Sequence, residues 1–136
     1  MDAYTQRVCQ ELASWGERMA HPHTDTLYFG GGTPSLLGEH RLSAILQQAA
    51  KSFSLRSPEI TVEVNPTRGK GLDFSALRSF GVNRLSIGLQ SASEGELRRL
   101  GRKHSAQDAA QTIEDVYKRQ GIAYPAGPCG LSCSVP

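Results

Sequence analysis

Three short apolar runs, each alternating with small or polar residues, constrain this chain more than any other feature. They are Thr26 to Gly30, Glu59 to Asn65 (after Pro58 and before Pro66) and Arg84 to Gln90. A period of two predicts strands. Helix-length segments separate them. From Glu39 to Phe53 one face carries Leu42, Ile45, Leu46, Ala49 and Phe53, and from Asp73 to Phe80 a shorter helix stops at Gly81, a residue suited to the left-handed position after a helix end. A first helix, Asp2 to about Met19, repeats Tyr4, Val8, Leu12, Trp15 and Met19 at helical spacing, and His21-Pro22-His23 ends it. Two more helices follow the third strand, about Glu94 to Leu100 and about Ser105 to Tyr117, the latter opening on Ser105 and Asp108 in the form of a capping box. Strand and helix recur every about 25–35 residues, the size of a βα unit. Strands joined by helices run parallel, so the expected class is α/β.

The alternation sorts the strands into two unlike faces. Leu27, Phe29, Ile60, Val62, Val64, Leu85, Ile87 and Leu89 form one. Tyr28, Gly30, Thr61, Glu63, Asn65, Ser86, Gly88 and Gln90 form the other. A parallel sheet covered by helices on both sides is apolar on both. The small, polar face is therefore expected to line a cavity. Its polar members gather at the carboxyl ends of the strands, the edge where parallel α/β folds bind ligands.

Gross composition narrows the partners. The chain has 136 residues, the length of one domain or of a piece of a larger one. A net charge of +2 does not argue for nucleic acid or a membrane surface. No apolar run approaches the roughly 20 residues that span a bilayer, and Met1 opens no signal-peptide pattern, so a cytosolic protein is expected. Three cysteines, an odd number, speak against a disulfide framework; Cys9 sits on a helix as a small hydrophobe.

The rim residues suggest a chemistry. The stretch Leu27-Tyr28-Phe29-Gly30-Gly31-Gly32-Thr33-Pro34 ends a strand in bare backbone, whose free carbonyls accept from an ammonium group. Glu63 strengthens such a contact by its charge. Gln90, both donor and acceptor, suits ribose hydroxyls, and the planar fork of Arg102 suits a carboxylate. Together these describe an aminoacyl nucleoside. The plainer alternatives are a cap for Glu63 and a loop tie for Gln90.

The segments "DTLYFGGGTPSLL", "EITVEVNPT" and "GVNRLSIGLQSASEGELRRLGRKHS" resemble successive core segments of the radical S-adenosylmethionine proteins related to oxygen-independent coproporphyrinogen III oxidase. The likeness runs from about Asp2 to Val116. It implies a partial (β/α) barrel with about three parallel strands present here, and a site for S-adenosylmethionine over a [4Fe–4S] cluster. Gly31, Gly32 and Thr33 then match the backbone site for the methionyl part. Glu63 matches the contact to the amino group, Gln90 a ribose position, and Arg102 the arginine facing the carboxylate. "LGRKHS" is more similar to the heme-chaperone branch than to the oxidases, which makes heme or a porphyrin a further expected ligand of the intact protein.

The resemblance also implies cluster cysteines spaced C-x3-C-x2-C, upstream of Asp2, so residues 1–136 alone are expected to be inactive in radical chemistry. Cys129 and Cys133 have the first spacing, but Pro136 stands at the third position. Residues 1–117 are thus expected to form a partial radical S-adenosylmethionine core. Residues 118–136, rich in Gly, Pro and Cys without periodicity, are expected to be a loosely attached, non-family tail. Two alternatives stay open. One is a non-catalytic heme carrier, for which His21, His23, His40 and His104 are the available ligands, each more simply a surface or capping histidine. The other is an unrelated α/β nucleotide-binding module, weakened because GGGTP lacks the lysine of a P-loop.

Overall fold

The structure, a computed structural model, describes residues 1–66, 72–118 and 132–134. Its elements follow in the order α1 (Asp2–Arg18), β1 (His23–Phe29), a 3-10 turn (Pro34–Leu37), α2 (Glu39–Ser52), β2 (Ser54–Val64), α3 (Phe74–Ser79), β3 (Arg84–Ile87), α4 (Glu94–Arg99), α5 (Ala106–Lys118) and β4 (Ser132–Ser134). The sheet order is β1-β2-β3-β4. The first three strands are parallel, as the intervening helices require, with Tyr28 opposite Thr61 and Glu63 opposite Ser86.

Burial follows the apolar face. Ile60, Val62, Val64, Leu85 and Ile87 pack with Leu42 and Leu46 of α2, Leu77 of α3 and Val116 of α5 into one core. On the opposite face Tyr28 and Gly30 are exposed and Glu63, Asn65, Ser86 and Gly88 half-buried, so that side stays open as the alternation predicts; Thr61, in the central strand, is the buried exception.

Helix ends are set by side chains. The Asp73 carboxylate accepts from the Ser75 and Ala76 amides at 2.9 and 3.3 Å, capping α3. After α3, Gly81 takes φ +99° and the Val82 amide returns to the Leu77 carbonyl at 3.1 Å. Ser105 and Asp108 form the expected reciprocal box, Ser105 N to Asp108 Oδ2 at 2.7 Å and Asp108 N to Ser105 Oγ at 3.0 Å.

Four features depart from the sequence pattern. β2 begins at Ser54, earlier than Glu59, because Ser54 and Leu55 pair with His23 and Thr24 before residues 56–58 bulge out opposite Asp25 alone. That bulge contains Pro58, which has no amide to give the ladder. β3 ends at Ile87, short of Gln90. The Gly88 amide still donates to Val64 at 3.0 Å, but Leu89 N turns back to Ile87 O at 3.0 Å and Ser91 N to Leu89 O at 2.8 Å. The face of α1 that packs is not the aromatic stripe. Tyr4, Trp15 and Met19 are exposed, while Thr5 and Gly16 are buried where α1 meets α2. Gly16 lets the backbones approach so closely that contact is made by small residues. Finally, of the tail expected to be loose, Ser132–Ser134 pairs antiparallel with β3; Cys129 lies outside the described residues.

Candidate functional site

The carboxyl ends of β1 and β2 meet at Glu63. Tyr28 Oη donates to Glu63 Oε1 at 2.5 Å, and the Gly31 amide donates to Glu63 Oε2 at 3.1 Å. Each carboxylate oxygen thus carries one donor and keeps lone-pair capacity for another. Register explains the first contact. Tyr28 is opposite Thr61, two residues from Glu63 on the same face, a diagonal an aromatic side chain can span. Hydrogen bonding to Glu63, reinforced by lost hydration and the carboxylate's charge, pushes the Tyr28 phenol above its ordinary value; Ser86, which also bonds the phenol, and Arg84 pull the other way.

The glycines divide the work. A Cβ on Gly30 would lie 2.3 Å from Tyr28 Cε1, so the ring crosses bare backbone there. Gly31 and Gly32 instead have open space around them but take φ +77° and +55°, a backbone requirement. Thr33 follows, its Oγ1 accepting from Asn65 Nδ2 at 3.3 Å. A Cβ on Gly88 would meet Gln90 Nε2 at 2.9 Å and Asn65 Oδ1 at 3.1 Å, which places the Gln90 amide beside Asn65 above the end of β3. Gln90 holds φ +67°, a region a side chain of its size rarely occupies.

Five of the six residues proposed from sequence, Gly31, Gly32, Thr33, Glu63 and Gln90, therefore stand at adjoining strand ends. Arg102 is exposed on the α4–α5 connection, and among the described residues no hydrogen bond or ion pair joins it to them. Its loop is nonetheless moored to the rim, because the buried His104 donates from Nε2 to the Leu89 carbonyl at 3.3 Å. His21 and His23 likewise donate from Nδ1 to the Ser52 and Ser54 carbonyls, both at 2.9 Å.

A cleft of about 570 Å³ runs along β1 beneath α1 and adjoins the rim. Tyr28 and Gly30 to Thr33 line it on the rim side, its other walls are largely apolar, from Val8, Leu12, Leu27 and Ile45, and it includes neither Glu63 nor Gln90. The polar chemistry lies at the rim. Among the described residues no three His, Cys, Asp or Glu side chains converge to hold a metal, and no helix is long and apolar enough to cross a membrane.

In the sequence Tyr28 and Ser86 stand out only as members of the polar face, with nothing to mark a role. Face membership was readable from alternation. Their meeting at Glu63 depends on strand register, which no residue pattern in the chain encodes by itself.

Residues 2–124 match the Radical SAM superfamily. The chain is 46% identical over 95 residues to the radical S-adenosyl methionine domain-containing protein 1, mitochondrial, of Bos taurus, covering 69% of this chain and 22% of that protein. It is 38% identical over 114 residues to the heme chaperone HemW of Escherichia coli (strain K12), covering 83% and 30%. Among solved structures, coproporphyrinogen III oxidase (HemN) from Escherichia coli, described as a radical SAM enzyme, is similar with TM-score 0.76 and 28% identity over 86% of this chain and 27% of that one. The chain thus spans less than a third of the length of each of these proteins. Its three parallel strands and their helices have the α/β, partial-barrel architecture expected from the sequence.

Proposed function

Because this chain belongs to the radical SAM superfamily, in the group that holds HemW and HemN, we propose that its rim is part of a site for S-adenosylmethionine. The observation that carries this is the Glu63 carboxylate, fixed by two donors at the open strand ends with acceptor capacity left for an ammonium group. The residues present fit the ligand. Glu63 accepts from the amino group, the backbone of Gly31, Gly32 and Thr33 borders the methionyl part and Gln90 meets the ribose hydroxyls; Arg102, exposed on the loop that His104 moors to Leu89, is assigned the carboxylate from the sequence likeness alone. In the intact family, bound S-adenosylmethionine supplies radical chemistry once a [4Fe–4S] cluster delivers an electron. The work of the residues seen here is to bind and orient.

Within the group we place the intact protein in the heme-chaperone branch, on the strength of "LGRKHS" and the HemW likeness. A heme titration of the intact protein, followed in the Soret band, tests that placement: saturable binding supports the heme-chaperone branch and its absence supports an oxidase. The proposed compartment is the cytosol for a bacterial protein; the vertebrate relatives carry "mitochondrial" in their names. Membership in the superfamily leaves no place for an unrelated nucleotide-binding module.

The rim itself is tested by calorimetric titration of the chain with S-adenosylmethionine. Glu63→Gln, which removes the charge but keeps the shape, is expected to weaken binding by about tenfold or more. Equal affinity in the two proteins would remove Glu63 from the site.

A further inference from the structure

We propose that Tyr28 is a positioning residue that fixes the Glu63 carboxylate and so sets the preference of the rim for ligands bearing an amino group. The proposal rests on the reading of the rim as an S-adenosylmethionine site and adds to it a residue that the sequence left without a role.

Four observations converge on it. Tyr28 Oη is 2.5 Å from Glu63 Oε1, the shorter of the two hydrogen bonds on that carboxylate. The other donor, Gly31 N–H, belongs to a backbone of positive φ and cannot by itself stop the carboxylate from turning about its terminal bond. With the phenol on one oxygen and the amide on the other, the carboxylate plane is defined and the remaining lone pairs face the open strand ends. The ring has one way to lie there, because Gly30 offers it bare backbone; a Cβ at Gly30 would meet Cε1 at 2.3 Å and Cδ1 at 2.9 Å. Tyr28 is also 61% exposed and lies outside the core, at the point where the cleft beneath α1 meets the rim. A large side chain left in solvent, laid over a glycine and bonded to a carboxylate, is explained by the carboxylate.

A phenol suits this task better than a cation. A lysine or arginine in its place would neutralise Glu63 and occupy the charge an incoming ammonium needs. A phenol donates one hydrogen bond and leaves the negative charge in place. A phenol is protonated at neutral pH in any case, and the bond to Glu63 disfavours its ionisation further.

The test compares binding of S-adenosylmethionine and of its analogue without the amino group to the full chain, in wild type, Tyr28→Phe, Gly30→Ala and Glu63→Gln. Tyr28→Phe is expected to weaken S-adenosylmethionine binding roughly fivefold to twentyfold while leaving the des-amino analogue unchanged. Gly30→Ala, whose methyl would displace the ring and also crowd Glu63 Oε1 at 3.2 Å, is expected to weaken S-adenosylmethionine binding at least as much, so Tyr28→Phe is the variant that isolates the phenol. If Glu63→Gln weakens binding but Tyr28→Phe does not, the proposal is overturned and the rim reading stands. If Glu63→Gln has no effect, both fall. A ligand-free readout runs beside these. The phenolate band lost on Tyr28→Phe identifies the Tyr28 titration, which Glu63→Gln should move to lower pH; an unmoved titration refutes the Tyr28–Glu63 bond directly.

Discussion

Replacing Gly16 by alanine would place a methyl group 2.5 Å from the Ser52 carbonyl oxygen, 2.7 Å from its Cβ and 2.9 Å from its Cα. Two of those three atoms are backbone, so no rotamer change relieves the contact, and α1 must retreat from α2 by about 0.9 Å to reach ordinary packing at 3.4 Å. Two effects oppose each other. Alanine favours the helix over glycine by about 1 kcal/mol. Forcing a methyl into a packed backbone contact costs about 1–3 kcal/mol, and a contact that cannot rotate away belongs to the upper half of that range. The clash wins, leaving a net loss of about 1–2 kcal/mol. For a chain of this length that lowers Tm by about 3–8 °C. Thermal melts of Gly16→Ala and of Ser14→Ala, an exposed position on the same helix, check it. Ser14→Ala should be neutral or slightly stabilising. A Gly16→Ala melt at or above wild type would refute the close approach of α1 and α2.

Gln90 at φ +67° carries backbone strain, and Gln90→Gly should raise stability by about 1 kcal/mol in urea unfolding while weakening S-adenosylmethionine binding through loss of the amide; lower stability would refute the strain. Stability should also fall at alkaline pH because of Tyr28. Its folded value is raised, so its contribution is complete below the unfolded value of 10.0 and is lost as pH rises through the higher folded one. Tyr28→Phe should flatten that alkaline slope of the urea midpoint, and an unchanged slope would contradict the shift.

Much of this arrangement was legible in the residues, for reasons that mark where legibility stops. Alternation in "EITVEVN" separates Val62 and Val64 from Glu63 and Asn65, because side chains in a strand must take opposite faces. The capping box at Ser105 and the left-handed Gly81 are local chemistry and are found as expected. Non-local choices were not legible. The stripe on α1 has the spacing of a buried face, yet the side that docks carries Gly16, a weak helix former, against which the Ser52 backbone of α2 lies close. The end of β3 reads as strand through Gln90 on alternation alone, but the ladder stops at Gly88 and tight turns take over. The contact of Tyr28 with Glu63 needs a register that hydrogen bonding between strands sets.

The central claim is that the strand ends around Glu63 form the ligand site. Amide and side-chain nuclear magnetic resonance of the full chain, titrated with S-adenosylmethionine, tests it most directly. The account predicts saturable shifts at Gly31, Gly32, Thr33, Glu63 and Gln90 and in the Arg102 guanidinium, with Val8, Leu12 and Ile45 of the apolar cleft unmoved. Shifts at Val8, Leu12 and Ile45 of the cleft with none at Glu63 and Gln90 at saturating ligand would contradict it.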